Sequence, residues 1–98
     1  MKKVIYYVGL NDKDQKKQII ETEQARKIIA DVVGDNTMQL VMGTFTHEDN
    51  TKVNENTFKV ECFVDNTDNL KANCEDIKRL LNQESIYIEV SEVNGLFI

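Results

Sequence analysis

The stretch that decides the fold is TMQLVMGTFTHEDNTKVNENTFKVECFV, residues 37–64. It predicts two strands joined by a polar loop, because apolar residues recur at every second position in Thr37–Thr46 and again in residues 56–64. A period of two is what a strand with one buried face requires. The segment between them, HEDNTKVNEN, is too polar to bury. We therefore predict a β-hairpin at the centre of the chain.

A strand and a helix are predicted on the N-terminal side of this hairpin. Residues 3–10 are β-branched and aromatic, which favours a strand. Residues 22–33 place apolar side chains at helical spacing, and Gly34 is a helix stop. On the C-terminal side, Asp65 to Asp68 would cap a helix reaching about Asn82. A last strand would cover residues 85–93.

The order β-α-β-β-α-β predicts the fold class. With right-handed crossovers it gives an α+β, ferredoxin-like sandwich, in which a four-stranded antiparallel sheet carries both helices on one face. The alternative is another α+β arrangement of the same elements. We expect a single domain over residues 1–98, with residues 96–98 as a short fifth strand after the Asn94-Gly95 turn. The predicted core residues are Leu40, Val60, Ile28, Ile77 and Ile88.

Charge narrows the possible partners. The net charge is −5, with seven basic and five acidic residues in positions 1–34 but five basic and twelve acidic residues in positions 35–98. Duplex nucleic acid is therefore not expected as a partner, since its binding depends on neutralising phosphates. A small phosphorylated molecule at the basic end remains open. No apolar run approaches the about 20 residues that span a membrane, and no signal peptide is recognisable, so we expect a cytoplasmic protein.

The metal-binding residue types give little support for a metal or cofactor. Cys62 and Cys74 lie on predicted inner faces and are expected to be free thiols. Asp12, Asp14 and Asp49 are a possible cation set, but the glycine and closing glutamate of an EF-hand loop are missing. We predict neither a metal site nor a cofactor.

The predicted topology brings residues 11–18, residues 47–56 and the start of the first helix to one end of the domain. Lysines and helix N–H groups there would favour a phosphate, and strand aromatics would stack a base. The alternative is a pair of solvated loops without a ligand. The candidate ligand-binding residues are Tyr7, Asn11, Lys13, Lys16, Arg26, Phe45, His47 and Asn56.

An enzyme is the less favoured interpretation. His47 is the only histidine, and it would act as general base with an acid from Glu48, Asp49 or Glu55. No serine or cysteine nucleophile with a neighbouring base is recognisable.

The sheet face without helices is expected to carry aromatic and aliphatic side chains. These are Val41, Phe45, Phe63, Tyr87 and either Tyr6 or Tyr7. Such a face usually serves a partner, so we predict a homo-oligomer. RNA would use the same aromatics, but the acidic charge disfavours it.

The segments YYVGLNDKDQKKQ, THED and ENTFKVECF resemble small proteins of phages and prophages of Gram-positive bacteria. The resemblance implies an accessory protein in the host cytoplasm that sequesters a small signalling molecule or binds a host protein, with a counter-defence role. Combined with the loops above, this favours a non-enzymatic, oligomeric protein that binds a phosphorylated or nucleotide-like ligand. The alternatives are a module that blocks a host partner and a small dimeric enzyme using His47.

Overall fold

A computed structural model describes residues 1–46 and 49–98 of the chain. Within them the elements are β1 (Lys2–Gly9), α1 (Thr22–Val33), β2 (Thr37–Thr46), β3 (Lys52–Val64), α2 (Leu70–Leu81) and β4 (Tyr87–Glu92). The predicted order and the predicted bounds of α1 are confirmed. The main difference is β3, which begins four residues before the predicted position 56.

The strands form one antiparallel sheet in the order β2-β3-β1-β4. Strands β1 and β3 are therefore central, and β2 and β4 are the edges. Tyr6 pairs with Val60 on one side and with Ile88 on the other, so these three side chains share one face. This arrangement confirms the ferredoxin-like α+β fold.

The core lies between that face of the sheet and the two helices. Its central residues come from the middle strands and the inner faces of the helices: Val4, Tyr6, Val8, Leu10, Ala25, Ile29, Phe58, Val60, Cys62, Ile77 and Leu81. Val60 and Ile77 are fully buried, as predicted. Because β1 and β3 each supply three or more of these residues, the centre of the sheet carries most of the packing.

The prediction of full burial is wrong for three of the five core residues named from the sequence. Leu40 is 49% exposed, and Ile28 and Ile88 are half-buried. Leu40 pairs with Phe58 and so points to the helix side as predicted, but it lies on the edge strand β2. Of β2, only Met38 packs against the core cluster, because the helices cover the two central strands.

The ends of the helices follow the sequence at some positions only. Gly34 ends α1 with a φ of 78° and donates its N–H to the Ala30 carbonyl. Side-chain capping of α2 by residues 65–68 is not observed. The Asn66 side chain instead accepts the Asp68 N–H at 3.1 Å, and Asn69 at the cap position makes no side-chain cap bond within the described residues.

The predicted fifth strand is also absent from the described residues. After β4 the Val93 N–H donates to the carbonyl of Met1, the residue before β1, at 3.0 Å, and residues 93–98 are irregular. Leu96, Phe97 and Ile98 are exposed by 78%, 84% and 113%. Phe97 contacts Phe63 edge-to-face, with ring centroids 6.3 Å apart.

Both cysteines are free thiols, Cys62 buried and Cys74 half-buried. Burial raises the pKa of each thiol, which disfavours the reactive thiolate. Among the described residues, no helix has the length and apolar character needed to cross a bilayer.

Candidate functional site

A cavity of about 310 Å³ opens on the sheet face that carries no helices. It is lined by Tyr7, Gly9, Asn11, Asp12, Lys13, Lys16, Phe45, Thr46, Val53, Glu55, Thr57, Gln83, Glu84, Ser85 and Tyr87. The strand residues in this set alternate with the buried core residues Tyr6, Val8 and Phe58. Successive side chains point to opposite faces of a sheet, so the cavity and the core lie on opposite sides of the same strands.

Two glycines lie on the sheet face that forms the floor of the cavity, and neither has a side chain that would fill it. Gly9 pairs with Thr57, and Gly43 pairs with Glu55. A Cβ atom at Gly9 would lie 2.4 Å from Glu55 Oε1, and one at Gly43 would lie 2.8 Å from Cε2 of Phe45. The carboxylate of Glu55 and the ring of Phe45 thus occupy space that side chains at the two glycines would take.

Glu55 is the acidic group on the floor of the cavity. Its Oε2 accepts the backbone N–H of Asn11 at 2.8 Å, which links β3 to the segment after β1. The Leu10 N–H donates to the Asn56 carbonyl at 2.9 Å and reinforces the same link. The half-buried carboxylate is therefore held in one place, while its Oε1 edge faces Gly9.

Aromatic rings stand at both ends of the floor. Tyr7 and Tyr87 have ring centroids 5.6 Å apart with an interplanar angle of 36°, and Lys59 Nζ lies 6.0 Å from the Tyr7 centroid. Phe45 folds back over Gly43, opposite Glu55. Tyr7 pairs with Lys59, whereas Gly43 pairs with Glu55, four residues earlier on β3. Four residues of a strand span about 13 Å at the usual rise. The cavity therefore suits an elongated molecule with an aromatic contact at each end.

The rim between β1 and α1 is an ordered loop. Asp12 Oδ2 accepts the N–H groups of Asp14 and Gln15 at 3.0 Å, and its Oδ1 accepts the Asn82 side chain at 2.8 Å. These hydrogen bonds, led by that from Asn82, hold the pKa of Asp12 below its usual range. The buried Gln83 side chain donates to the Asn11 carbonyl at 2.6 Å. The end of α2 thus fixes this loop.

The acidic residues weighed as a cation set have other partners. Asp12 and Asp14 both accept the Asn82 side-chain amide, at 2.8 and 2.9 Å. Asp49 Oδ1 accepts the Thr51 N–H at 2.9 Å. Within residues 1–46 and 49–98, no three His, Cys, Asp or Glu side chains converge in a way that would hold a metal ion.

The structure brings five of the eight sequence-predicted site residues to this cavity: Tyr7, Asn11, Lys13, Lys16 and Phe45. Asn56 points to the helix side, where its Nδ2 donates to Gln18 Oε1 at 2.9 Å. Arg26 lies on α1 and pairs with Glu23, with Nε 3.0 Å from Oε2. His47 lies outside the described residues. No residue of α1 lines the cavity.

The role of the two glycines is not predicted from the sequence, and the predicted setting of Glu55 is wrong. From the sequence, Glu55 is predicted in the hairpin loop, as an acid beside His47. In fact β3 begins at Lys52. Val53, Glu55 and Thr57 alternate in phase with the cavity face, and that alternation was the available signal.

No protein-family model and no curated protein matches the sequence. Two solved structures share the fold. One is a phage SAM lyase in complex with S-methyl-5'-thioadenosine, with a TM-score of 0.70 and 18% identity over 93% of this chain and 80% of that chain. The other is a phage SAM lyase in the apo state, with a TM-score of 0.62 and 18% identity over 92% of this chain and 78% of that chain.

Proposed function

We propose that this protein binds S-adenosyl-L-methionine (SAM) in the sheet cavity and removes it from circulation. The observation that carries the proposal is the pairing of a fixed carboxylate, Glu55, with the rings of Tyr7, Phe45 and Tyr87 around one cavity. The same fold in a phage SAM lyase that holds S-methyl-5'-thioadenosine supports it.

The chemistry of SAM matches the contents of the cavity. Its adenine offers a flat face to an aromatic ring, a contact that is independent of base sequence. Its sulfonium and ammonium groups are cations, which a held carboxylate attracts more strongly when it is half-buried than in bulk water. The volume of about 310 Å³ lies at the lower end of the about 300–1,000 Å³ typical of small-molecule sites.

Removal can occur by sequestration or by cleavage. Sequestration is the simpler activity, because it needs only the cavity and a protein concentration comparable with that of the ligand. Cleavage is the second candidate, and the fold neighbours support it because both are lyases. The two activities share one binding site and differ in whether the ligand is recovered intact.

Cleavage by a lyase requires no added reactant. The carboxylate of SAM attacks its own Cγ and forms a C–O bond, while the Cγ–S bond breaks and its electron pair stays on sulfur. The products are S-methyl-5'-thioadenosine and a lactone that keeps the ammonium group. The positive charge on sulfur disappears in this step. Because the attacking carboxylate and the leaving sulfur belong to one molecule, the site would act by holding SAM in a folded conformation.

The test is calorimetric titration with SAM, followed by chromatography of the ligand after incubation. We expect binding by the wild type and at least about tenfold weaker binding by Glu55→Ala, because the carboxylate partner of the cation is lost. Glu75→Ala on α2 is the matched control, because it removes a carboxylate away from the residues that line the cavity. Recovery of intact SAM indicates sequestration, and appearance of S-methyl-5'-thioadenosine indicates cleavage. A wild type that neither binds nor cleaves SAM would refute the proposal.

A phosphorylated ligand is the alternative to SAM, because Lys13 and Lys16 lie at the rim of the cavity and would bind phosphate. If phosphate is bound there, Lys13→Glu with Lys16→Glu should weaken nucleotide binding more than Lys71→Glu with Lys78→Glu on α2, since only the first pair lines the cavity. Titration of both double variants with a panel of nucleotides and cyclic nucleotides measures this. Equal behaviour of the two variants would remove the phosphate interpretation.

We also propose that copies of the chain associate through the exposed segment Leu96–Phe97–Ile98. Three consecutive apolar side chains with such exposure are unusual on a lone domain, and Phe97 already contacts Phe63 on the sheet face. Deleting residues 95–98 should therefore lower the mass measured by light scattering. An unchanged mass together with an unchanged melting temperature would count against this assembly.

We propose that the protein acts in a host cytoplasm. Depletion of SAM there would starve host enzymes that consume it, which fits an accessory counter-defence role. If neither SAM nor any nucleotide binds, a module that blocks a host protein takes the place of this function.

A further inference from the structure

Gly9 is the last residue of β1, and the Glu55 carboxylate lies directly against it. A Cβ atom built there would stand 2.4 Å from Oε1, 2.5 Å from Cδ and 2.7 Å from Oε2 of Glu55. Carbon and oxygen atoms that are not bonded cannot approach so closely, so any side chain at position 9 must displace the carboxylate. Glu55 would then lose its 2.8 Å hydrogen bond from the Asn11 N–H.

We propose that Gly9 is a specificity-determining residue that makes the cavity select the cationic SAM over the neutral thioether S-methyl-5'-thioadenosine. This inference rests on the proposed function. Gly9 itself contributes no atom that recognises charge. It provides the space in which Glu55 is fixed, and a fixed carboxylate favours a cation more than one that moves into solvent.

Gly9→Ala is expected to change selectivity rather than to lower affinity in general. The neutral thioether lacks both the sulfonium and the ammonium charge of SAM, so its binding depends mainly on the aromatic rings and only weakly on where the carboxylate lies. Glu55 has a flexible side chain at the cavity surface, and it can swing outward without disturbing the core on the other face of the sheet. Gly9→Ala should therefore fold and keep its affinity for the thioether.

The chain contains a matched glycine control. A Cβ atom at Gly95 would have Met1 Cε, at 3.6 Å, as its nearest neighbour, which is an ordinary contact. Gly95→Ala thus adds the same methyl group without displacing another side chain. Gly34 is unsuitable because its φ of 78° would strain an alanine.

The experiment titrates SAM and S-methyl-5'-thioadenosine into the wild type, Gly9→Ala, Glu55→Ala, the double variant and Gly95→Ala. If the wild type cleaves SAM, decarboxylated SAM, which keeps the sulfonium but lacks the attacking carboxylate, replaces SAM in the titrations. Gly9→Ala should lower the preference for SAM by about tenfold or more, with thioether affinity unchanged within about twofold. In the Glu55→Ala background, Gly9→Ala should add nothing, because its effect acts through Glu55. Gly95→Ala should match the wild type.

A ligand-free readout accompanies the titrations. The Asn11 amide proton should exchange with solvent faster in Gly9→Ala and Glu55→Ala than in the wild type and Gly95→Ala, because its acceptor has moved. Unchanged Asn11 exchange in Gly9→Ala, an unchanged preference for SAM, or an equal loss in the Glu55→Ala background would each overturn the role of Gly9. A wild type that binds neither molecule refutes the proposed function and this selectivity with it.

Discussion

Replacing Ile77 with alanine should lower the free energy of unfolding by about 2–5 kcal/mol, which is the usual cost of a large-to-small change in a packed core. Ile77 is fully buried on α2 and belongs to the cluster that joins both helices to the central strands. Shortening it leaves a cavity inside this cluster, which the surrounding side chains fill only in part. Urea denaturation monitored by circular dichroism would measure the loss.

Leu40→Ala is the matched control, since it also removes a large aliphatic side chain from the helix side of the fold. Because Leu40 is 49% exposed on the edge strand, its loss should cost less than about 1 kcal/mol. Comparable losses for the two variants would mean that β2 is covered in solution, for example by a second copy of the chain.

The contrast between Ile77 and Leu40 shows how far periodicity predicts burial. Alternation along Thr37–Thr46 correctly assigned Leu40 to the helix side of the sheet, because strand geometry fixes which residues share a face. It did not reveal that β2 would be an edge strand beyond the cover of the helices. That outcome depends on the sheet order, which in turn depends on crossovers between distant segments.

The element order was predictable because each segment carries its own local signal. Residues 22–33 have a helical stripe that ends at Gly34, and apolar residues recur at every second position in the hairpin strands. Strand β3 starts at Lys52 instead of the predicted position 56. Asn54 is typical of loops, but pairing with β2 overrides that preference. The predicted fifth strand failed because apolar composition alone provides no pairing partner for residues 96–98.

The site was predictable only in part, for a related reason. Topology brought Asn11, Lys13 and Phe45 to one cavity, since both polar segments follow strands that end on the same side. The close approach of Glu55 to Gly9 depends on the exact register between β1 and β3. The register between two strands cannot be read from a single sequence. The position of Glu55 beside Gly9 could therefore not be predicted.

Removing the exposed aromatic rings of the cavity should weaken binding of S-methyl-5'-thioadenosine sharply, if the proposed function holds. Tyr87 and Phe45 lie on opposite edge strands, so alanine at either position should leave the central strands intact. Stacking of a base on an aromatic ring is worth about 1–3 kcal/mol, so loss of the ring that holds the adenine should weaken binding about tenfold or more.

The comparison of single variants also assigns the orientation of the ligand. If adenine stacks beside Tyr7, Tyr87→Ala should lower the affinity more than Phe45→Ala. If adenine lies over Gly43, Phe45→Ala should lower the affinity more. Phe63→Ala is the control, because Phe63 is a half-exposed aromatic on the same sheet face that contacts Phe97 instead of the cavity. Fluorescence or calorimetric titration should place its affinity within about twofold of the wild type. A loss at Phe63 equal to that at Tyr87 and Phe45 would mean that the nucleoside binds elsewhere on the sheet.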